Sequence, residues 1–196
     1  MEISQTLENK RLATRDKLLK AAITLLKSGG HSALRFSAVA DLAGISRGGL
    51  LHHFPTKEAL VAAVFEVIVR EQETDSLKRI ESFDGGDILQ ALIDDATARF
   101  FDECYDVVLD ILTSCPDNAD LQVRQGSLET EFGDQVLRGW EGRIVEAGYA
   151  PEMAHDITLF LWNLVRGLAV RNLVVADPRY CEQVISFGKR LILEAA

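Results

Sequence analysis

The stretch LRFSAVADLAGISRGGLLHHFPTK, residues 34–57, decides the fold of this chain. It predicts two short helices that flank a tight turn at residues 43–46. Gly44 can adopt the left-handed conformation that ends a helix, and Ser46 can cap the next helix by accepting a backbone N–H. The apolar positions expected to hold the two helices are Val39, Leu42, Ile45, Leu50 and Phe54. This layout is typical of a helix-turn-helix, whose second helix enters the major groove of DNA.

Residues 39–60, VADLAGISRGGLLHHFPTKEAL, follow a pattern that extends beyond the turn. The pattern begins with an apolar residue and Ala, followed by two variable residues and then by Ala-Gly-apolar-Ser. The helix after this turn ends in His-Phe, and a Lys and a Leu follow the helix. The matching residues are Val39, Ala40, Ala43, Gly44, Ile45, Ser46, His53, Phe54, Lys57 and Leu60. In this pattern the chain resembles the DNA-binding region of the TetR family of bacterial repressors. The motif similarity covers residues 12–72, whereas residues 73–196 match only in length and helical layout.

The charge of the chain is distributed unevenly. The net charge is −9, but residues 1–60 contain nine Lys/Arg and five Asp/Glu, a local charge of +4. Residues 61–196 contain twelve Lys/Arg and twenty-five Asp/Glu, a charge of −13. A basic front on an acidic body indicates that only one end of the protein meets phosphate.

The sequence argues against an enzyme and against a membrane protein. It has no Gly-rich phosphate loop and no His-Glu metal spacing, so neither a catalytic site nor a cofactor is expected. The longest apolar run, residues 157–162, is far shorter than the ~20 residues of a membrane span. Without a basic and apolar leader the protein is expected in the cytoplasm. Cys104, Cys115 and Cys181 are expected to be reduced buried thiols, with a redox sensor as the alternative.

Hydrophobic spacing, with Gly and Pro at the breaks, predicts an all-α fold of about nine helices. Residues 1–10 are expected to be frayed. The expected helices span residues 11–28 or 14–28, 37–43, 47–54, 57–79, 87–100, 119–147, 152–175 and 178–194, with a shorter helix that ends at residue 115. The helix at residues 119–147 has Phe132, Val136, Trp140 and Ile144 on one side. Residues 83–86 form the clearest linker.

The helix at residues 152–175 is apolar nearly all round and must therefore be covered on every side. A partner subunit is the expected cover, and Gly188 in the last helix permits close packing. The family resemblance implies the same arrangement, in which the last two helices pair with their copies in a four-helix bundle.

Ten residues are expected to form the DNA-binding surface: Arg35, Ser37, Ser46, Arg47, Gly48, Gly49, Leu51, His52, His53 and Lys57. Arg47 is expected to contact a base edge, such as the O6 and N7 of guanine, and otherwise is simply exposed. The two glycines of the second helix permit close approach to the groove, or are merely tolerated in a short helix.

The other expected contacts include two departures from the family pattern. Leu51 stands where the family usually has Tyr, and either meets a thymine methyl or packs on the domain. Arg35 stands where the family often has a Ser or Thr cap, so Ser37 is expected to take over that cap. Lys57 and His53 are expected to bind phosphate, with packing or capping as the alternative for His53, and His52 is a further phosphate candidate.

The resemblance implies a small-molecule inducer among the middle helices. Its expected contacts are Phe100, Phe101, Cys104, Val108, Trp140, Arg143, Trp162 and Arg166, with ordinary core packing as the alternative for each. Arg166 interrupts an apolar helix, and a buried Arg needs a partner, either a carboxylate or an anionic ligand.

The resemblance thus implies two domains, a TetR-type helix-turn-helix DNA-binding domain at residues 12–72 and a ligand-binding and dimerisation domain at residues 73–196. The expected function is a ligand-responsive repressor that binds a palindromic double-stranded operator as a homodimer and is released by a small-molecule effector. The alternatives are a constitutive or redox-responsive DNA binder and a helical interaction module.

Overall fold

The computed structural model describes the backbone of residues 2–128 and 133–195, and every regular element in these ranges is helical. The helices are α1 (Glu2–Ala33), α2 (Phe36–Ala43), α3 (Arg47–His53), α4 (Lys57–Ser82), α5 (Ile88–Phe100), α6 (Glu103–Ser114), α7 (Ala119–Leu128), α8 (Asp134–Glu146), α9 (Pro151–Asn172) and α10 (Pro178–Ala195). Neither described range contains a strand, which confirms the predicted all-α class. None of the described helices is long and apolar enough to cross a bilayer.

The helices form two compact units. The head unit comprises the residues up to Val69 together with Glu103–Leu128, and so contains α1–α3, the first half of α4, α6 and α7. The body unit comprises Arg70–Asp102 and the described residues 133–195. Because α6 and α7 belong to the head unit, the compact units differ from the segments 12–72 and 73–196, whose functional division stays a prediction.

The head unit is built around α1, which contacts both α2 and α6. Its core consists of apolar side chains that are almost completely buried, among them Leu18, Ala22, Leu34, Val39, Leu50, Phe54, Leu60, Val64, Val108 and Ile111. Burial of this many apolar side chains is the main favourable contribution to folding. The two short helices α2 and α3 are therefore fixed on a much larger support.

Helix α1 is longer than the sequence suggested. It begins at Glu2, so the expectation of a frayed segment was wrong for residues 2–10. This segment contains no Gly or Pro and includes good helix formers, so the helix extends upstream. The predicted break after residue 28 is confirmed, because Gly29 and Gly30 have non-helical dihedral angles, with Gly30 at φ 62°.

The body unit is centred on α9, which contacts α5, α8 and α10. Its core comprises Ile80, Ile88, Leu89, Leu92, Ile93, Val136, Trp140, Ile144, Ala154, Ile157, Leu161 and Ile192. The α5 residues Leu89, Ile93, Ala96 and Phe100 are all buried. The unit is thus a helical bundle with one continuous apolar core.

The helix predicted over residues 119–147 is described only in part, and the end of α9 differs from the prediction. The segment predicted as one helix over residues 119–147 is described as α7 and α8, while residues 129–132, including Phe132, lie outside the described residues. Ten helices are therefore described where about nine were predicted. Helix α9 ends at Asn172 rather than at residue 175, because β-branched Val174 and Val175 precede the Asp177 cap of α10.

The apolar helix α9 is buried on one side only within its own chain. Leu161 and Val165 are fully buried, whereas Phe160 and Val170 are exposed. Gly188 of α10 lies against Phe160 and Leu164 of α9, and a Cβ added there would come within 2.8 Å of Leu164 Cδ2. The close packing expected at Gly188 therefore serves the contact between α9 and α10 of one chain.

Candidate DNA-binding surface and effector-binding residues

The turn between α2 and α3 has the geometry that the sequence predicted. Gly44 is left-handed, at φ 65° and ψ 32°, and Ile45 N–H donates to the carbonyl of Ala40 at 2.9 Å. The Ser46 hydroxyl oxygen accepts from Gly49 N–H at 3.1 Å and so caps α3. The helix-turn-helix is therefore fixed by one positive-φ glycine and one side-chain cap.

The start of α2 differs from the expectation. The helix begins at Phe36, and Arg35 occupies the N-cap position without a side-chain hydrogen bond. Ser37 lies inside the first turn, so the prediction that it caps the helix was wrong. Burial of Leu34, next to Arg35, fixes the chain at this point and starts the helix one residue earlier than predicted.

The recognition helix α3 is anchored on one side only. Leu50 and Phe54 are buried as predicted, and the guanidinium of Arg15 lies 4.6 Å from the centre of the Phe54 ring. Leu42 was expected in this core but is 54% exposed. The buried residues Val39 and Ala40 define the inner side of α2. The direction of Leu42 from the helix axis differs from their mean direction by roughly 110°, so Leu42 lies outside the buried side.

The opposite side of α3 faces solvent. Arg47, Gly48, Leu51 and His52 are exposed, and their spacing of three and four residues places them on one face of the helix. Within the described part of the chain, the guanidinium groups of Arg47 and Arg35 make no hydrogen bond or ion pair. Helix α3 thus presents the positive charge of Arg47 to solvent, and Arg35 carries a second exposed positive charge at the N-cap of α2.

His53 lies at the edge of this surface and is half-buried. Burial lowers the pKa of His53, and positive charge on His52, Arg11 and Arg15 lowers it further. Its imidazole is therefore neutral at pH 7 and offers a hydrogen bond rather than a charge. The rings of His52 and His53 meet edge to face at 5.7 Å between centroids.

Lys57 is the first residue of α4 and already makes one hydrogen bond within the head unit. Its ammonium donates to the His31 carbonyl at 3.2 Å, while Thr56 caps the helix by accepting from Ala59 N–H at 3.1 Å. An ammonium has three donors, so this bond leaves capacity for a phosphate. Phosphate binding by Lys57 stays a prediction.

His31, which the sequence analysis did not select, connects three segments of the head unit. Its backbone N–H donates to Asp110 Oδ2 at 2.6 Å, its carbonyl accepts from Lys57, and its Nε2 lies 3.3 Å from Cys115 Sγ. These contacts join the end of α1 to α6 and to the start of α4. No local pattern marks the residue, because Asp110, Lys57 and Cys115 are distant from it in sequence.

The predicted effector contacts are divided between the two units. Cys104 and Val108 belong to the head unit, whereas the other six belong to the body unit. Phe101 and Arg166 are exposed, so the premise that Arg166 is buried was wrong. Arg166 instead bonds to Asn163 and lies 5.9 Å from the centre of the Phe100 ring.

Trp140 has a well-defined structural role in the body. It is 1% exposed, and its Nε1–H donates to Asp95 Oδ2 at 2.8 Å. The fully buried Asp95 carboxylate also accepts from Ser76 Oγ at 2.9 Å and from Arg79 Nη1 at 2.8 Å. This network satisfies a buried charge that would otherwise be costly.

A second polar cluster in the body surrounds Trp162. The Phe100 and Trp162 rings meet edge to face at 5.6 Å, and the Arg99 guanidinium lies 5.3 Å from the centre of the Trp162 ring. Arg99 also pairs at 3.3 Å with Glu73, which is 4% exposed. Within the described residues, the buried Trp162 Nε1–H has no hydrogen-bond partner. Glu73 and Arg99 were not predicted from the sequence, since only the fold brings α4 and α5 together.

Arg143 lines an open cleft of about 440 Å³ with Phe83, Glu146 and the linker at residues 84–86. It donates to the Ile80 carbonyl at 3.1 Å and to Glu146 at 3.0 Å. Contact of any of these body residues with an effector stays a prediction.

An exposed cationic helix, set by a glycine turn and a serine cap on a buried core, defines a helix-turn-helix DNA-binding protein. Residues 18–64 match the family described as "Bacterial regulatory proteins, tetR family". The chain is 33% identical over 185 residues to the HTH-type transcriptional regulator CymR of Pseudomonas putida, covering 92% of this chain and 89% of the relative. The chain therefore belongs to the TetR family and is a transcriptional regulator, not an enzyme.

Other relatives agree with this assignment. RutR of Escherichia coli K12 is 39% identical over 57 residues, which are 29% of this chain and 27% of RutR. A transcriptional regulator from Rhodococcus sp. Rha1 has the same fold, with a TM-score of 0.70, 24% identity, and coverage of 93% of this chain and 97% of that one. A regulator from Saccharomonospora viridis, solved with choline, has a TM-score of 0.69, 16% identity, and coverage of 91% and 94%.

Proposed function

We propose that this protein is a cytoplasmic homodimeric repressor that binds a palindromic operator and is released by a small-molecule effector. The observation that carries the DNA-binding part is Arg47 at the start of the capped helix α3, which is exposed and makes no ion pair with any described residue. In this position the guanidinium contacts a guanine edge, while Arg35, Lys57 and the neutral His53 contact phosphate oxygens.

Selection of double-stranded DNA from a random pool, followed by binding titrations, tests this proposal. Arg47→Ala should cost about 1–3 kcal/mol of operator binding and relax the preference at one base pair per half-site. Arg138→Ala removes the same charge from an exposed site on α8 and is the matched control. Equal binding by the parent and Arg47→Ala on operator and random DNA would contradict the assignment.

The homodimer is supported by the apolar side of α9 and α10 that the chain leaves exposed. Its members are Leu159, Phe160, Val170, Leu173, Phe187 and Leu191. Exposed apolar side chains in this number on two adjacent helices are typical of an interface. In the dimer this surface meets its own copy in a four-helix bundle.

Sedimentation of the parent and of Phe187→Glu tests the dimer. Phe187 is 53% exposed, so a charge there leaves the protomer core intact and acts on the interface. Leu161 is unsuitable for this test, because it is fully buried in its own chain and a charge there would prevent folding. A parent that sediments as a monomer at micromolar concentration would exclude the dimer.

Release by an effector requires that the effector bind the non-DNA-binding state more tightly. A hundredfold loss of operator affinity corresponds to a difference of about 2.7 kcal/mol between the two states. Among the described residues the buried Trp162 N–H, beside the Phe100 ring, has no hydrogen-bond partner, and this supports a ligand contact in the body. A thermal-shift screen, followed by operator titrations with each stabilising compound, tests release; binders that leave operator affinity unchanged would favour a constitutive regulator.

A redox-responsive regulator is the second candidate, and the Cys115–His31 contact is its support. Burial raises the pKa of the Cys115 thiol. The positive charge of Lys57 opposes this rise, and the negative charge of Asp110 adds to it. A protonated thiol is a poor nucleophile, so the effector reading is the better supported one. Loss of operator binding after hydrogen peroxide treatment in the parent, but not in Cys115→Ser, would favour the redox reading.

A further inference from the structure

The fold does not explain one of the two glycines in α3. Gly inside a helix is less stable than Ala, because it loses more backbone entropy on folding. At Gly49 the reason is local, because a Cβ would lie 3.0 Å from Ile45 Cγ2 and 3.3 Å from Ser46 Oγ, the atom that caps the helix. At Gly48 a Cβ would meet no side chain and no backbone beyond its own helical turn within 4 Å among the described residues, and the residue does not have a positive φ. The fold therefore accepts a side chain at position 48, and the reason for its absence lies outside the folded chain.

Leu51 is the neighbour of Gly48 on the exposed face of α3, three residues further along the helix. It is 40% exposed, so it does not pack into the head unit as Leu50 does. Together Gly48 and Leu51 form an apolar patch of low relief beside the guanidinium of Arg47. An exposed leucine on a charged surface carries a hydration cost that contact with an apolar partner removes.

The major groove offers one apolar group on its base edges, the C5 methyl of thymine. A backbone without Cβ at position 48 allows close approach to the base edges, and Leu51 supplies the matching apolar contact. We propose that Gly48 and Leu51 read a thymine methyl in each operator half-site. Leu51 lies roughly 6 Å along α3 from Arg47, so this thymine lies within about two base pairs of the one that Arg47 contacts. The inference rests on the proposed function, since it requires α3 to enter the groove.

The test replaces each thymine of the selected operator in turn by deoxyuridine, which keeps base pairing and every hydrogen-bonding group but lacks the methyl. At one position per half-site the parent should lose affinity about fourfold, the factor that corresponds to burial of one CH₂ group. Leu51→Ala should bind thymine and deoxyuridine operators equally. Leu12→Ala, which shortens another exposed leucine of the head unit, should retain the parent's sensitivity.

The outcomes separate this inference from the proposal on which it rests. A parent that selects no sequence refutes the proposed function and the inference with it. A parent that binds its operator but ignores every deoxyuridine overturns the inference alone. Retained sensitivity in Leu51→Ala overturns the role of Leu51.

Gly48→Ala tests the close approach independently. Because the added methyl has no close neighbour in the described part of the chain, the variant should fold with an equal or higher unfolding midpoint. Its operator affinity should nevertheless fall at least tenfold, because the methyl occupies the space of the base edges. A Gly48→Ala variant that binds the operator as tightly as the parent would show that the backbone does not approach the groove there.

Discussion

The buried carboxylate of Asp95 allows a stability prediction with a matched control. Asp95→Asn keeps the size of the side chain but replaces one acceptor oxygen by an NH₂ donor. If the amide oxygen keeps Ser76 and Arg79, the new NH₂ group faces the Trp140 N–H, which currently donates at 2.8 Å. Two donors then face each other in the core of the body unit.

The magnitude follows from the exposure of each partner. A buried Trp140 N–H left unsatisfied costs about 1–3 kcal/mol. The Arg79 side chain is 41% exposed, so water can hydrate it, and its loss of a charged partner adds less than about 1 kcal/mol. Asp95→Asn should therefore lower the free energy of unfolding by roughly 1–4 kcal/mol, a large share of the ~5–15 kcal/mol typical of a domain.

Urea unfolding, followed by circular dichroism and tryptophan fluorescence at a fixed protein concentration, measures this change. Asp94→Asn is the control, because Asp94 is exposed on the same helix and loses the same charge. It should alter the free energy of unfolding by no more than about 0.5 kcal/mol. If the free energies of unfolding of the two variants agree within about 0.5 kcal/mol, the hydrogen-bond network around Asp95 does not contribute specifically to stability.

Three further predictions concern the head unit. Gly44→Ala should lower the free energy of unfolding by about 1–2 kcal/mol, because φ is 65° there. The control Gly142→Ala, on α8, should raise it by up to about 1 kcal/mol, because an added Cβ has no close neighbour there among the described residues. Equal effects of the two substitutions in urea titrations would refute the role of the positive φ at Gly44. The folded-state pKa of His53 lies below its unfolded value. The contribution of His53 to stability is therefore complete above about pH 6.5 and is lost as the pH falls. The free energy of unfolding should depend less on pH in His53→Gln than in the parent. Lys57→Ala should weaken binding to all DNA sequences and reduce the salt slope by about one, while Lys78→Ala in the body unit should leave both unchanged; equal slopes for the two would exclude the phosphate contact.

The sequence predicted the helix-turn-helix closely because the determinants of that motif are local. Gly44 needs only its own backbone freedom, and Ser46 caps a donor three residues away. Short-range rules were less successful at Ser37 and Leu42. The start of α2 depends on where Leu34 is buried against the rest of the head unit, and the outer side of α2 depends on the position of α1.

The polar interior of the body could not be predicted from the sequence. Arg166 attracted attention because it interrupts an apolar helix, yet it is exposed. The arginine that lies among buried side chains is Arg99, which pairs with Glu73, 26 residues away in the chain. Such a pair has no periodic signature, because its two members are brought together by the packing of α4 and α5.

The contact between the His31 amide and the Asp110 carboxylate provides a natural reporter of motion in the head unit. This amide proton is held by a side chain of α6, so its exchange with solvent deuterium depends on separation of α6 from the end of α1. Its exchange rate therefore isolates one local opening from global unfolding, in which the core amides of α1 must also exchange. A single resonance can thus show whether operator DNA or a candidate effector tightens or loosens this junction.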